Sequence, residues 1–234
     1  CRSEDVENLR PEIYPPLEVA MKCPRYETYS HRVDWCKTIN ELIDHGARVD
    51  KLATAGYLYV HSICSRCHSW GWDDTSLAIL RLLYAYGGAA VNLVDASGAT
   101  LLYLLCFWIA ESANADSIGV VSMLLDFSAD ANLANPKRRN QTALHASLVR
   151  TEGLPFDFAC TAKLVDILLT KGDADPTRAD ADGNTPLHYI AQNCAELREQ
   201  CAETDESIYS IIETLLSHGA QTGIENKAGL APAG

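Results

Sequence analysis

The sequence predicts an all-α solenoid, in which pairs of helices stack on one another along the chain. Three observations predict it: a short motif returns at an almost constant interval, a second apolar motif follows, and a glycine or serine ends the second motif. The anchor residue of the first motif returns in steps of 43, 42, 42 and 43 residues. Because such a register over most of a 234-residue chain is typical of a repeat array, we expect units that bury a common core by stacking. The five anchor residues are Leu17, Val60, Leu102, Leu144 and Leu187.

The first motif predicts the start of an inner helix in each unit. Its fullest copy reads Asp-Gly-Asn-Thr-Pro-Leu-His-Tyr-Ile-Ala at residues 182–191. Thr185 suits the N-cap position because its hydroxyl can accept a hydrogen bond from an early helical amide. Pro186 suits the first helical position, where no N–H group is needed. Shorter copies lie at residues 140–146, 98–103, 56–61 and 16–20.

The second motif predicts the outer helix of each unit. At residues 121–132 it reads Val-x-x-Leu-Leu-x-x-Ser-Ala-Asp-Ala-Asn, and related copies begin at residues 39, 165 and 212. The i, i+3, i+4 spacing places the apolar side chains on one face of a helix. The glycine that follows, as at Gly172 and Gly219, is expected to end that helix in the left-handed region of backbone space.

Together the two motifs resemble the ankyrin repeat family, whose Thr-Pro-Leu-His-x-Ala and Val-x-x-Leu-Leu-x-x-Gly-Ala-Asp-Val-Asn strings occur here in the same order. The resemblance covers roughly residues 14–234, after an N-terminal lead-in at residues 1–13. It implies an ankyrin-type α-solenoid with short β-hairpin or loop links between helix pairs. The units that it implies are 14–52, 53–94, 95–133, 134–178, 179–224 and a partial unit at 225–234.

The repeat is longer than the family's unit of about 33 residues. Counting along both motifs places the additional residues between the inner and outer helix of each unit. Composition predicts that residues 195–207 lengthen a helix and that other surplus segments, including the one with Trp70 and Trp72, form loops. The loop aromatics either stack into a satellite apolar cluster or form a ridge that binds a partner. The same counting places seven cysteines in surplus segments, namely Cys23, Cys36, Cys64, Cys67, Cys160, Cys194 and Cys201.

Composition narrows the classes of protein that fit. The formal net charge of −12 is opposite to that of a typical nucleic-acid-binding domain, so we expect no nucleic-acid partner. The longest apolar run, Leu101–Ala110, is too short for a membrane span, which needs about 20 residues. An odd number of cysteines and no evident signal peptide predict reduced thiols in an intracellular protein, cytoplasmic or nuclear. Because the chain begins at Cys1 and its sixth unit is partial, we expect a monomeric module of a larger parent chain.

No motif in the sequence predicts catalysis. His61, His145 and His188 share one position of the first motif, where we expect a ring that bridges backbone groups of neighbouring units. Cys64-Ser-Arg-Cys67-His matches the c-type haem attachment motif, but it lies in an insert without secretory context, so we expect no haem. Insert cysteines could hold structural zinc, but small semi-buried thiols are the interpretation we prefer, and we expect no cofactor. The weak zinc candidates are Cys23, Cys36, Cys64 and Cys67.

The resemblance implies a non-enzymatic protein–protein interaction module, a scaffold or adaptor that binds another protein through its hairpin tips and the concave face of its inner helices. Two alternatives stay open: a substrate-recruiting or regulatory arm of a larger enzyme such as a ubiquitin ligase or kinase, and a zinc-stabilised module. The basic cluster at residues 137–139 would either dock an acidic partner or keep a loop soluble. The residues expected to contact a partner are Lys51, Asp95, Lys137, Arg138, Arg139, Arg178, Asp180 and Asp182, with Trp70 and Trp72.

Overall fold

The chain divides into two compact units, Cys1–Asp95 and Ala96–Gly234. In the first unit, the described residues at 37–38, 41–42 and 44 are helical, and Leu80 is a buried helical residue. A computed structural model describes residues 37–38, 41–42, 44–45, 80, 91–112, 116–150, 156–197 and 205–232.

The described residues of the second unit form helix pairs. The inner helices α1, α3 and α5 follow copies of the first motif, and the outer helices α2, α4 and α6 carry the second. Helix α3 packs on both α1 and α5, α4 packs on both α2 and α6, and each inner helix contacts its own outer helix. The predicted helical solenoid is therefore confirmed, and the described residues contain no β-strand. The helices are α1 (Leu101–Ser112), α2 (Asp116–Asp126), α3 (Ala143–Ala146), α4 (Phe158–Thr170), α5 (Pro186–Leu197) and α6 (Asp205–Ser217).

The anchor leucines of both motifs form the core of this unit. On the inner helices, Leu102 and Leu144 are buried, and Leu187 keeps only 4% of its surface exposed. On the outer helices, Leu168 and Leu215 are completely buried. Because removing a leucine side chain from water contributes about 1.5–3 kcal/mol, these repeated positions supply much of the stability of the array.

Each outer helix is followed by a residue in the left-handed region of backbone space, but the position of that residue varies. At Gly219 (φ 97°) and at Ser128 (φ 66°), the chain turns into the left-handed region directly after the helix, as predicted for Gly219. At the end of α4 the prediction is wrong by one residue, because Asp173 (φ 47°) and not Gly172 is left-handed. Gly172 is instead constrained by space, since a Cβ there would lie 2.8 Å from the carbonyl oxygen of Leu168.

Tight hairpin turns connect the helix pairs, and they are bonded to one another. An antiparallel bridge joins Asn135 and Gln141, and the next turn closes through the Asp180 N–H and the Asn184 oxygen at 2.9 Å. The Ala181 N–H donates to the Arg139 oxygen of the preceding turn at 2.6 Å. The predicted hairpin links are thus short turns with bridge pairing, and neighbouring turns brace each other.

The additional residues between the inner and outer helices form different structures in different repeats. In the first described pair they lengthen the helices, since α1 ends at Ser112 and α2 begins at Asp116. In the next pair α3 has only four residues, and a connecting segment precedes α4. Residues 195–197 and 205–207 are helical as predicted, while residues 198–204 lie outside the described part of the chain. The placement of Cys160 and Cys194 between helices is wrong, because the helices extend over them and put them in α4 and α5.

Candidate functional site

A groove of about 490 Å³ lies between a hairpin tip and the inner helices of the second unit. Phe107 of α1 lines one side and Tyr189 of α5 another, while the tip residues 137–139 form the rim. Arg150, in the segment that follows α3, adds a further positive charge to the lining. Volumes of about 300–1,000 Å³ are typical of ligand clefts, so the groove has room for several side chains of a partner.

The cations of the rim are held in defined positions. The Nζ atom of Lys137 donates to the Ala96 carbonyl oxygen at 2.6 Å. The guanidinium carbon of Arg138 lies 5.9 Å from the centroid of the Phe107 ring, which is the geometry of a cation–π contact. Arg139 forms an ion pair with Asp182 at 2.7 Å on the surface. The basic cluster is therefore an ordered surface of the hairpin tip.

Beneath the rim, a series of side-chain hydrogen bonds crosses three successive repeats. The Tyr103 hydroxyl donates to Oε1 of Gln141 at 2.9 Å, and Nε2 of Gln141 donates to the Tyr189 hydroxyl oxygen at 2.7 Å. The Tyr189 hydroxyl in turn donates to Oδ2 of Asp180 at 2.7 Å. The Gln141 amide and the Tyr189 hydroxyl each accept one of these hydrogen bonds and donate another, so both side chains are fixed where they line the groove.

Burial raises the pKa of Tyr103 to about 12, although the nearby Arg138 charge acts in the opposite direction. Burial also raises the pKa of Tyr189, and its hydrogen bond to Asp180 adds to that effect. For Asp180, burial alone would raise the pKa, but hydrogen bonds from Tyr189 and from the Asn184 and Asp182 amides outweigh it and hold the pKa below its usual value. This series of hydrogen bonds therefore joins two neutral phenols to one internally satisfied carboxylate.

The two described histidines of the first motif have the same neutral tautomer. Nδ1 of His145 accepts the Thr142 N–H at 3.2 Å, and Nδ1 of His188 accepts the Thr185 N–H at 3.0 Å. Because these backbone groups can only donate, Nε2 of each ring carries the proton and donates to a carbonyl of the next turn. The bridging role predicted for both histidines is confirmed, while His61 lies outside the described residues. The Thr185 hydroxyl lies 2.9 Å from Nδ1 of His188, and because that atom accepts, the hydroxyl donates to the ring rather than accepting the hydrogen bond predicted for it.

The predicted contact residues are placed as follows. Lys137, Arg138 and Arg139 meet at the groove rim, and Arg178 is exposed on the neighbouring turn. Asp182 pairs with Arg139, and Asp95, in the first unit, is half-buried. Lys51, Trp70, Trp72, Cys23, Cys36, Cys64 and Cys67 lie outside the described residues.

Asp180 differs from its predicted place on the surface, because only 7% of it is exposed. Its oxygens accept hydrogen bonds from the Asp182 and Asn184 amides at 2.9 and 2.8 Å, so it shapes the turn from inside. Sequence reasoning missed Phe107, Tyr189 and Arg150 as groove residues. The position of Tyr189 directly after the motif histidine gave a signal for its placement on an inner helix, and no motif marks Arg150.

Within the part of the chain that the structure describes, no three His, Cys, Asp or Glu side chains are arranged to hold a metal ion. In the same residues, every helix is too short or too polar to cross a lipid bilayer.

Comparisons with known proteins also indicate a repeat protein. Residues 182–227 match the Ankyrin repeat family model. The chain is also similar to the Nuclear factor NF-kappa-B p105 subunit of Gallus gallus, with 26% identity over 185 residues. That match covers 79% of this chain and 16% of the relative, so the chain spans a small part of the length of that protein. The resemblance to ankyrin repeats drawn from the sequence is thereby confirmed.

Proposed function

We propose that this chain is a protein–protein interaction module, a scaffold or adaptor that binds another protein in the groove between its hairpin tips and inner helices. Ankyrin repeats generally serve as interaction modules and carry no common chemistry. The observation that carries the proposal is the groove of about 490 Å³, whose rim is an ordered cluster of exposed cations. A preformed, braced surface favours binding because less side-chain and loop freedom is lost on association.

The reactive side chains of the described residues favour binding over catalysis. Nδ1 and Nε2 of both His145 and His188 are engaged with groups of the fold. Burial raises the pKa of the Cys106 and Cys160 thiols, which disfavours the nucleophilic thiolate form. A role as the recruiting or regulatory arm of a larger enzyme needs only the same binding groove, with the chemistry elsewhere.

The expected intracellular location, cytoplasmic or nuclear, is part of this proposal. It is supported by the reduced thiols of Cys106, Cys160 and Cys194 among the described residues, since oxidising compartments favour disulfides. The relative from Gallus gallus is by name a subunit of a nuclear factor. A subunit assembles with other proteins, so this name supports the proposed interaction role of the chain.

The groove can be tested by filling it without changing its charge. Gln192 is exposed on α5 and lines the groove, whereas Ser210 is exposed on the outer helix α6. We expect the wild-type chain and Ser210→Trp to capture the same partner from a cell lysate, identified by mass spectrometry, and Gln192→Trp to lose it. Equal capture by both tryptophan variants would place the interaction surface elsewhere.

A further inference from the structure

We propose that the groove takes an extended acidic segment of a partner protein, whose aspartate and glutamate carboxylates lie against Lys137, Arg138, Arg139 and Arg150. This inference rests on the proposed function of the groove and specifies the chemistry of its partner. The occupant is a protein segment with spaced carboxylates, and not a nucleic acid or a phosphorylated peptide.

Charge distribution is the first argument. The chain carries 31 Asp and Glu against 19 Lys and Arg, yet four of the cations meet at this groove. Among the lining residues in the described part of the chain, none is an aspartate or a glutamate. A positive groove on a protein of net charge −12 attracts carboxylates locally while the rest of the surface repels a dense polyanion.

The second argument is that the three cations of the hairpin tip are fixed before any partner arrives. The Phe107 ring supports the guanidinium of Arg138, whose planar edge can donate two parallel hydrogen bonds to a carboxylate. The hydrogen bond from the Ala181 amide to the Arg139 carbonyl, 2.6 Å long, ties the tip to the next turn. Arg and carboxylate groups that meet in this arrangement lose little additional freedom.

Asp182 shows the same recognition within the chain. Its Oδ2 atom lies 2.7 Å from a guanidinium nitrogen of Arg139, and both side chains are solvent-exposed. A partner carboxylate can occupy equivalent positions on the other cations of the rim. Since exposed ion pairs are individually weak, several carboxylates on one segment are needed for useful affinity.

The floor of the groove does not oppose an anion. The Asp180 carboxylate, which is bonded to the lining residue Tyr189, is buried and also accepts hydrogen bonds from two backbone amides. The Tyr189 and Gln141 side chains present neutral groups, and Tyr103 stays a neutral phenol below its pKa of about 12. An acidic segment therefore meets cations at the rim and neutral, half-buried groups below.

The test measures peptide binding to the full chain by fluorescence anisotropy. The probe is a short fluorescein-labelled peptide of alternating Glu and Ser, with matched peptides in which every Glu is replaced by Gln, by Lys, or by phosphoserine. We expect the Glu peptide to bind, the Gln and Lys peptides to bind at least about tenfold more weakly, and added salt to weaken the Glu complex. Arg138→Glu should lower the affinity for the Glu peptide about tenfold or more.

Lys163→Glu is the matched control, because it reverses one exposed charge on the outer helix α4, outside the groove. We expect it to bind the Glu peptide like the wild type, with circular dichroism showing both variants folded. Equal binding of the Gln peptide, binding of the phosphoserine peptide alone, or equal loss in both variants would overturn the acidic inference. So would no binding of any peptide. The proposed function is tested separately by Gln192→Trp, which fills the groove without changing its charge. If a partner is lost by Gln192→Trp but still binds Arg138→Glu, the groove remains the binding site and only the acidic inference is wrong.

Discussion

Nε2 of His145 lies 3.1 Å from the carbonyl oxygen of Asn184, so a side chain at the start of one inner helix is bonded to the backbone just before the next. His188 repeats the arrangement one unit later, with Nε2 3.0 Å from the Leu230 oxygen. In both cases Nδ1 accepts the N–H of the threonine that precedes the helix. The imidazole thus caps its own helix and joins two neighbouring repeats, which explains why a polar ring recurs at a core position.

Replacement of this ring by an apolar one of similar size should weaken the array. His145→Phe keeps an aromatic ring near Tyr189, whose centroid lies 5.5 Å away, but removes the acceptor of the Thr142 N–H and one of the two hydrogen bonds to the Asn184 oxygen. We expect a loss of about 1–3 kcal/mol in the free energy of unfolding, measured by urea denaturation. His218→Phe on the exposed end of the last helix is the control, and an equal effect of both changes would contradict the bridging role.

The same histidine should make stability depend on pH. Burial lowers the pKa of His145 below its ordinary value of 6.5, against the opposing effect of its bond to Asn184. As the pH falls through 6.5, the unfolded chain takes up a proton that the folded chain resists, so the contribution is complete above 6.5 and is lost below it. We expect a lower urea midpoint at about pH 5.5 than at about pH 7.5. His145→Phe should show a smaller drop, and an identical drop would assign the effect to other groups.

Periodicity determined what could be predicted from this sequence. Leu144 and Leu187 were predictable as core residues because their spacing follows the helix and the repeat, and both properties are local. Asp180 and Asp182 look alike in the sequence, but Tyr189 and two amides enclose only Asp180. That difference depends on three-dimensional neighbours, so no spacing could reveal it.

These two aspartates give a direct comparison of a buried and an exposed carboxylate. Asp180→Ala removes the acceptor of the Tyr189 hydroxyl and of two backbone amides, and we expect a loss of about 2 kcal/mol or more. Asp182→Ala removes the surface ion pair with Arg139, which should cost about 0–1 kcal/mol. The thermal midpoints of Asp180→Ala and Asp182→Ala show which of the two changes costs more stability. If Asp182→Ala proved the more destabilising, Asp180 would not organise the turn.

Reversal of the charges at the hairpin tip should leave the fold intact. Arg138→Glu combined with Arg139→Glu removes one exposed ion pair and one cation–π contact, each worth about 0–1 kcal/mol. We expect an unchanged far-UV circular dichroism spectrum and a thermal midpoint close to that of the wild type. If the double variant unfolds, the basic cluster stabilises the array and is not a surface reserved for a partner.

Truncation of an anchor residue should have the opposite outcome. Leu187 on α5 is only 4% exposed, and α5 packs between α3 and α6. Because Leu187→Ala removes buried methyl groups and leaves a cavity, we expect a loss of about 2–5 kcal/mol in the free energy of unfolding. Leu216→Ala is the matched control, since 42% of Leu216 is exposed on the outer helix, and we expect a clearly smaller loss there. Equal urea midpoints for the two variants would mean that Leu187 is not a core anchor, and the repeat register itself would then need revision.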